Sequence, residues 1–152
     1  MDLTLAAIAL AVAFSFIGLG GGLYEYRVVD RSWPANPALI QPQKGGVSRV
    51  RFWLPAHLAF ELSLIASLAL AWGQPAVRTP LAVAFASHAA MRLWSAFDFI
   101  PKALAFEKAA SVDVDAARRW THRSLWRLPL DLATCGGSLA AFVAACRAAS
   151  GG

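Results

Sequence analysis

Cysteines are scarce in this sequence, and their positions exclude one class of membrane enzyme. The chain has two, Cys135 and Cys146. On one helix they would lie about 16 Å apart along the axis, which is too far for a disulfide. There is also no C-x-x-C motif. The sequence therefore argues against a quinone-linked disulfide-forming enzyme, and we expect both cysteines to be small packing residues.

Charged residues are scarce as well. They make up 15% of the chain, against about 25% in an average protein. Hydrophobic residues reach 58% and mean hydropathy is +0.52. Four apolar segments approach the roughly 20 residues that a helix needs to cross a bilayer: residues 3–24, 52–72, 80–102 and 125–145. The first has no basic residues ahead of it, so we interpret it as a span rather than a cleaved signal peptide. We expect an all-α, integral membrane four-helix bundle with antiparallel up-down-up-down topology, covering 1–152 as one domain.

The basic residues predict how this bundle is oriented. Most of the fourteen flank the first and third connections: Arg27, Arg31, Lys44, Arg49, Arg51, Lys102, Lys108, Arg118, Arg119, Arg123 and Arg127. The positive-inside rule places those connections in the cytoplasm and both termini outside. The sequence thus indicates a multi-pass protein of the bacterial inner (cytoplasmic) membrane. Because topology accounts for the net charge of +5, no nucleic-acid partner is expected. The bilayer is one expected partner, and a homodimer stays open.

Ionisable residues nevertheless occur within the spans. A charge at the bilayer centre costs at least about 2.5–3.5 kcal/mol, so each should face other helices. At about 100° per residue, one arc of about 120° on the third span holds all of its polar groups: His88, Arg92, Ser95, Asp98 and Lys102. His57 and Glu61 share a face of the second span, and Arg127 and Asp131 share a face of the fourth.

Counting about 1.5 Å per residue from the cytoplasmic ends places opposite charges at matching depths. Glu61 matches Arg92, and His57 matches Asp98. A second group lies at the mouth: Glu25, Lys102, Arg127 and Asp131. We therefore expect a polar cleft that opens to the cytoplasm. His88 is about 20 Å deep by this count, far from His57, and is expected to be a hydrogen-bonded core histidine.

The cleft predicts a membrane-embedded enzyme that acts on a lipophilic small molecule. His57 would be the general base, oriented by Asp98, and Arg92 would pair with Glu61 and hold an anionic oxygen. Substrate would be bound by the residues at the mouth and by an apolar wall: Glu25, Trp94, Lys102, Arg127 and Asp131.

Three alternatives stay open. The polar core could be purely structural. A non-catalytic protein could bind or carry a lipid-like ligand or a proton, although no path through the outer half is evident. A metal site could use the oxygen and nitrogen donors of the core, namely His57, Glu61, Asp98 and Glu25. Since the E-x-x-H pair of di-iron bundles is absent and Arg92 would oppose a cation, we predict no metal ligand, and the sequence identifies no cofactor.

Several stretches carry a resemblance: "GGGLYEYRVVDRSWPANPALIQP", "SRVRFWLPAHLAFEL", "SHAAMRLWSAFDFIPKALAFE" and "RRWTHRSLWRLPLDLATC". They resemble small four-span bacterial membrane proteins and, more distantly, the anthrone oxygenase-like family. The specific features are Trp120, Trp126 and Arg127 and a proline-bearing first loop. Characterised members of that family oxidise polycyclic anthrones to quinones. The resemblance implies an oxidoreductase, names no substrate for this chain and assigns no catalytic residue.

Overall fold

The chain folds into four long helices. The computed structural model describes residues 2–150, and within that range there is no strand. Helix α1 is Leu3–Ser32 and helix α2 is Val50–Leu70. Helix α3 covers residues 75–108, and helix α4 is Val114–Ser150. The all-α prediction is confirmed, and each predicted span lies within a helix or overlaps most of one.

Three of the four helices contain local departures from α geometry. A π-helical turn, Glu25–Val29, interrupts α1. A second π-helical turn, Ser95–Phe99, divides α3 into Pro75–Trp94 and Ile100–Lys108. In α4, a 3-10 turn, Leu125–Arg127, separates Val114–Ser124 from Leu128–Ser150. Such turns change the direction in which the following side chains point.

The ends of the helices follow from familiar capping residues. The carboxylate of Asp2 accepts a hydrogen bond from the Thr4 amide at 2.9 Å at the start of α1. Asp113 accepts from the amides of Asp115 and Ala116 at the start of α4. Pro75 is the first residue of α3, where a missing N–H costs nothing.

Three helices are long and apolar enough to cross a membrane: α1, α2 and α4. Helix α3 is not among them, although residues 80–102 were predicted to span. The reason is composition, because His88, Arg92, Asp98 and Lys102 interrupt its apolar residues. By length and composition, the structure thus indicates a membrane protein with three candidate spanning helices.

Packing joins the helices in the spatial order α2, α1, α4, α3. Helix α1 packs against α2 and α4, and α4 packs most extensively against α3. The contact of α2 with α3 is much smaller. Gly137 permits the close approach of α4 to α3, since a Cβ there would lie 2.7 Å from the Pro80 carbonyl oxygen.

Two hydrophobic clusters stabilise opposite ends of the bundle. One joins all four helices around Ile8, Phe60, Leu81 and Ala141. The other is mainly aromatic and fixes the first loop against α3 and α4, through Trp33, Ile40, Phe99 and Trp120. The first loop contains short 3-10 turns, Pro37–Ile40 and Pro42–Lys44, and the buried Gln41 amide donates to the carbonyls of Phe106 and Ala109. Between these clusters the helices enclose a cavity.

Candidate functional site

A cavity of about 310 Å³ lies among the four helices. Small and apolar side chains form most of its wall, including Gly18, Leu19, Gly22, Phe60 and Met91. Ionisable side chains reach it from every helix: Glu25, Asp30, Arg49, His57, His88, Arg92, Glu107, Arg127 and Asp131. The volume is typical of a site for a small molecule, as is the combination of apolar walls with a few polar groups.

One cluster joins α2 to α3 at the cavity. Glu61 Oε1 forms an ion pair with Arg92 Nε at 3.0 Å and a hydrogen bond with His88 Nε2 at 3.2 Å. The predicted pair of Glu61 with Arg92 is therefore present. His57 lies beside this pair, with its ring centre 5.7 Å from that of His88. The cluster brings an acid, a base and two imidazoles together at one side of the cavity.

His57 has a free ring in the described structure. Its imidazole stacks on Trp53, at 5.3 Å between ring centres and an interplanar angle of 22°. Among residues 2–150 its nitrogens form no side-chain hydrogen bond, and the ring is only half-buried beside the cavity. Its lone pair is thus available to a bound molecule.

A second network lines the end of the cavity near the first loop. Arg49 donates to Glu25 Oε1 at 3.2 Å and to Glu107 Oε1 at 2.8 Å. Trp53 Nε1 donates to the other oxygen of Glu25 at 2.6 Å. The three charged side chains are 11–21% exposed. This network links α1, α2 and α3, and it positions the predicted substrate-binding residue Glu25.

Arg127 differs from the other cavity arginines because it has no carboxylate within ion-pair distance in the described chain. Its guanidinium carbon lies 4.4 Å from the centre of the Phe99 ring. Its Nη1 donates to Ser95 Oγ at 3.0 Å. Asp131, one turn further along α4, also lines the cavity and forms no side-chain hydrogen bond among residues 2–150. Arg127 and Asp131, which were predicted to share a face, form no ion pair with each other, so both groups remain available to a ligand.

Four predicted site residues do not line the cavity: Glu61, Trp94, Asp98 and Lys102. Glu61 lies behind the cavity wall, where it contacts His88 and Arg92. Trp94 is two residues from Arg92, on another face of α3, and is 37% exposed. As a wall of the substrate site, Trp94 was a wrong prediction.

The predicted orientation of His57 by Asp98 is also wrong. Asp98 pairs instead with Lys102 and with Arg123, whose Nη2 lies 2.5 Å from Oδ2. The physical reason is the π-helical turn Ser95–Phe99. It adds a residue to the turn, so positions after it rotate away from the face that holds His88 and Arg92. Asp98 and Lys102 therefore belong to the outer surface near the start of α4.

The predicted separation of His88 from His57 along the bundle is wrong. The sequence count separated His88 from His57, whereas the structure brings their rings into contact. The count compared backbone positions and left out the reach of the side chains. Glu61 contacts both His88 and Arg92, which are one turn apart on α3. His88 is buried, and Phe60 packs edge-on against its ring.

Sequence reasoning missed Arg49, Trp53 and His88 as cavity residues. A signal for the first two was present, because Arg49, Trp53, His57 and Glu61 follow one another at four-residue spacing on one face of the second helix. Arg49 was used only as a marker of topology. His88 was placed on the right face of its helix but assigned to the wrong level.

Comparison with protein-family models, with curated proteins and with solved structures finds no match to this chain. A function for it therefore has to be argued from the cavity and from the chemistry of the side chains that reach it.

Proposed function

We propose that this chain is a membrane-embedded, oxygenase-like enzyme that acts on a lipophilic small molecule. The observation that carries the proposal is the cavity of about 310 Å³, with apolar walls and ionisable groups from all four helices. In a purely structural polar core, the charges would be paired and the side chains would leave no cavity. Here His57, Arg127 and Asp131 line the cavity without an ionic partner in the described chain.

The proposed architecture is a four-span antiparallel bundle in the bacterial inner membrane, with both termini outside. Supporting contacts join the end of one helix to the start of the next: Glu25 near the end of α1 binds Arg49 at the start of α2. Arg127 near the start of the last apolar segment similarly binds Ser95, in the second half of α3. In this arrangement the cleft opens to the cytoplasm.

Helix α3 would be the fourth span despite its polar residues. Arg92 and His88 both bind Glu61 of α2, so two of its polar side chains have a partner within the bundle. An ionised group costs much less in a membrane when it is paired and hydrogen-bonded. Asp98 lies within the π-helical turn and Lys102 lies beyond it, where the cytoplasmic interface is expected.

The substrate that fits this cavity has an apolar body and a polar end that both accepts and donates hydrogen bonds. The body would lie against Gly18, Gly22 and Met91. The polar end would meet the free guanidinium of Arg127 and the free carboxylate of Asp131. A phenolic ketone has these features, and Arg92 can hold its anion at the other end of the cavity.

The resemblance to anthrone oxygenase-like proteins suggests the reaction class. Oxidation of an activated CH2 group to a carbonyl by dioxygen consumes one O2 and releases one water. The substrate supplies all four electrons, so no separate reductant is required. The alternative is a carrier that binds a lipid-like ligand in the same cavity without changing it.

Filling the cavity tests the proposal. A Cβ built at Gly18 or at Gly20 meets no atom within 4 Å, but only Gly18 lines the cavity. Gly18→Phe should therefore fill the cavity, and Gly20→Phe is the matched control. With an anthrone as the probe and oxygen uptake as the readout, we expect Gly18→Phe to abolish uptake and Gly20→Phe to retain it. Equal activity of the two variants would contradict the proposal.

Replacing His57 distinguishes an enzyme from a carrier. An enzyme whose His57 lone pair acts on the substrate should lose at least about 100-fold in turnover in His57→Ala. Binding of the anthrone, followed by its fluorescence, should persist. If the protein is a carrier, the wild type and His57→Ala should both bind the anthrone, and neither should consume oxygen.

A further inference from the structure

Two histidines that line the cavity lie close to one carboxylate behind its wall. One potential ligand atom from each of His57, Glu61 and His88 can be chosen so that all three lie within 4.8 Å of one another. Two of these residues are on α2 and one is on α3. The set of two imidazoles and one carboxylate is the donor combination that binds iron at open sites in non-haem oxygenases, and zinc in several hydrolases.

We propose that His57, Glu61 and His88 bind a divalent transition-metal ion of the Fe²⁺, Mn²⁺ or Zn²⁺ class. Metal binding itself does not depend on the function proposed above, although its catalytic use would rest on that function. The sequence predicted no metal ligand, because the E-x-x-H pair of di-iron bundles is absent and Arg92 would oppose a cation. In the structure His88 joins His57 and Glu61 as the third donor, so Asp98 and Glu25 are not needed.

The geometry requires only a small adjustment. Donors bound at about 2.0–2.2 Å to one ion lie roughly 3 Å from each other. His88 Nε2 and Glu61 Oε1 are already 3.2 Å apart. The ion would replace the proton that His88 now shares with Glu61. His57 makes no hydrogen bond that a side-chain rotation would break, so its ring is free to complete the set.

Arg92 is the group that opposes the ion. Its Nε binds the same Glu61 oxygen at 3.0 Å, and its side chain is 36% exposed. Arg92 also lines the cavity, so its guanidinium can turn to the second oxygen of Glu61 or towards an anionic ligand. An arginine on the far oxygen would then orient the carboxylate, as partners of metal ligands commonly do.

The position of the site makes it suited to substrate. His57, His88 and Arg92 all line the cavity, so coordination positions not used by protein face the space where a small molecule would bind. The His57 lone pair, which the proposed function directs to the substrate, would then bind the ion. An ion there would supply a Lewis-acid centre for an oxygen atom of the ligand.

Co²⁺ binding to the untagged full-length protein in nanodiscs tests the site. Co²⁺ is a spectroscopic probe for such sites, and its visible absorption and its retention after desalting are both measured. We expect about one ion per chain, and at least about tenfold weaker binding in His57→Ala, Glu61→Gln and His88→Gln. The exposed His122, the remaining histidine of the chain, provides the matched control His122→Ala. It should bind as the wild type does.

Either of two results would overturn the metal site: a wild-type protein that retains no Co²⁺, or cluster variants that bind as tightly as His122→Ala. His88→Gln keeps most of the side-chain volume beside Phe60, and helical circular dichroism shows whether each variant is folded. The two proposals fail separately. Co²⁺ binding by the wild type without oxidation of an anthrone by the Fe²⁺-loaded protein would refute the enzyme alone. Oxidation without Co²⁺ binding would refute the metal site alone.

Discussion

At the scale of residues, the arginines of the cavity divide into two kinds. Arg49 and Arg92 are held by carboxylates from other helices. Arg127 rests on an aromatic ring and a hydroxyl instead. A paired arginine in a half-buried position stabilises the fold because its removal leaves carboxylates without a cation. An arginine without an anion is better suited to receive one from a ligand.

Arg49→Gln should destabilise the bundle. It leaves Glu25 and Glu107 facing each other without a positive charge, which we expect to cost about 2 kcal/mol or more. The measurement is thermal unfolding in detergent, followed by helical circular dichroism. Arg51→Gln is the matched control, since Arg51 is exposed and forms no ion pair in the described chain. A midpoint for Arg49→Gln equal to that of Arg51→Gln would show that the network is not structural.

The sequence predicted part of this site because four-residue spacing is reliable within one regular helix. That spacing placed His88 and Arg92 on one inward face of α3, and a count of residues from the cytoplasmic ends matched Glu61 with Arg92. Asp98 and Lys102 were assigned to the same face, which is wrong because the π-helical turn that contains Asp98 and precedes Lys102 changes the rotation per residue. Nothing in the local sequence "SAFDF" distinguishes such a turn from an α-helix. The face of α3 before the turn could therefore be predicted, whereas the level of His88 and the positions of Asp98 and Lys102 could not.

At the scale of elements, the close contact of α4 with α3 depends on one glycine. A Cβ at Gly137 would lie 2.7 Å from the Pro80 oxygen and 3.0 Å from the Ala84 nitrogen, and both are backbone atoms. The neighbouring Gly136 has no atom within 4 Å of such a Cβ. The two adjacent glycines therefore separate the effect of helix propensity from that of packing.

Gly137→Ala should separate α4 from α3 and cost about 1–3 kcal/mol, as overpacking does. Gly136→Ala should be neutral or gain up to about 1 kcal/mol through helix propensity. Thermal unfolding of the two variants in the same detergent checks both values. If Gly137→Ala were as stable as Gly136→Ala, the close approach of these helices would be refuted.

Helix positions were more predictable than helix ends. Apolar length alone located α1, α2, α3 and most of α4. The first helix continues to Ser32, beyond the predicted end at residue 24. The π-helical turn Glu25–Val29 and a final α-helical turn form this extension. Apolar length could not show this, since residues 25–32 are mostly polar. The aromatic contacts of the first loop join residues that are distant in sequence, so local sequence patterns could not predict them.

At the scale of the whole molecule, the proposed topology can be tested by labelling. After replacement of Cys135 and Cys146 by serine, single cysteines are introduced as Gln43→Cys in the first loop or Gln74→Cys between α2 and α3. A membrane-impermeant maleimide should label residue 74 in intact spheroplasts, and residue 43 only after permeabilisation. The reverse pattern would place the cleft on the outer side.

The ion pair between α2 and α3 has a consequence for how the chain would enter the membrane. Glu61 precedes Arg92 in synthesis, and only a short turn after Leu70 separates their helices. By length and composition, α2 is apolar enough to cross a membrane, and α3 is not among the helices that are. In the proposed topology the acidic partner would already be at the translocon when the arginine emerges. The two helices would then leave the translocon together as a hairpin, and the ion pair with α2 would allow α3 to insert.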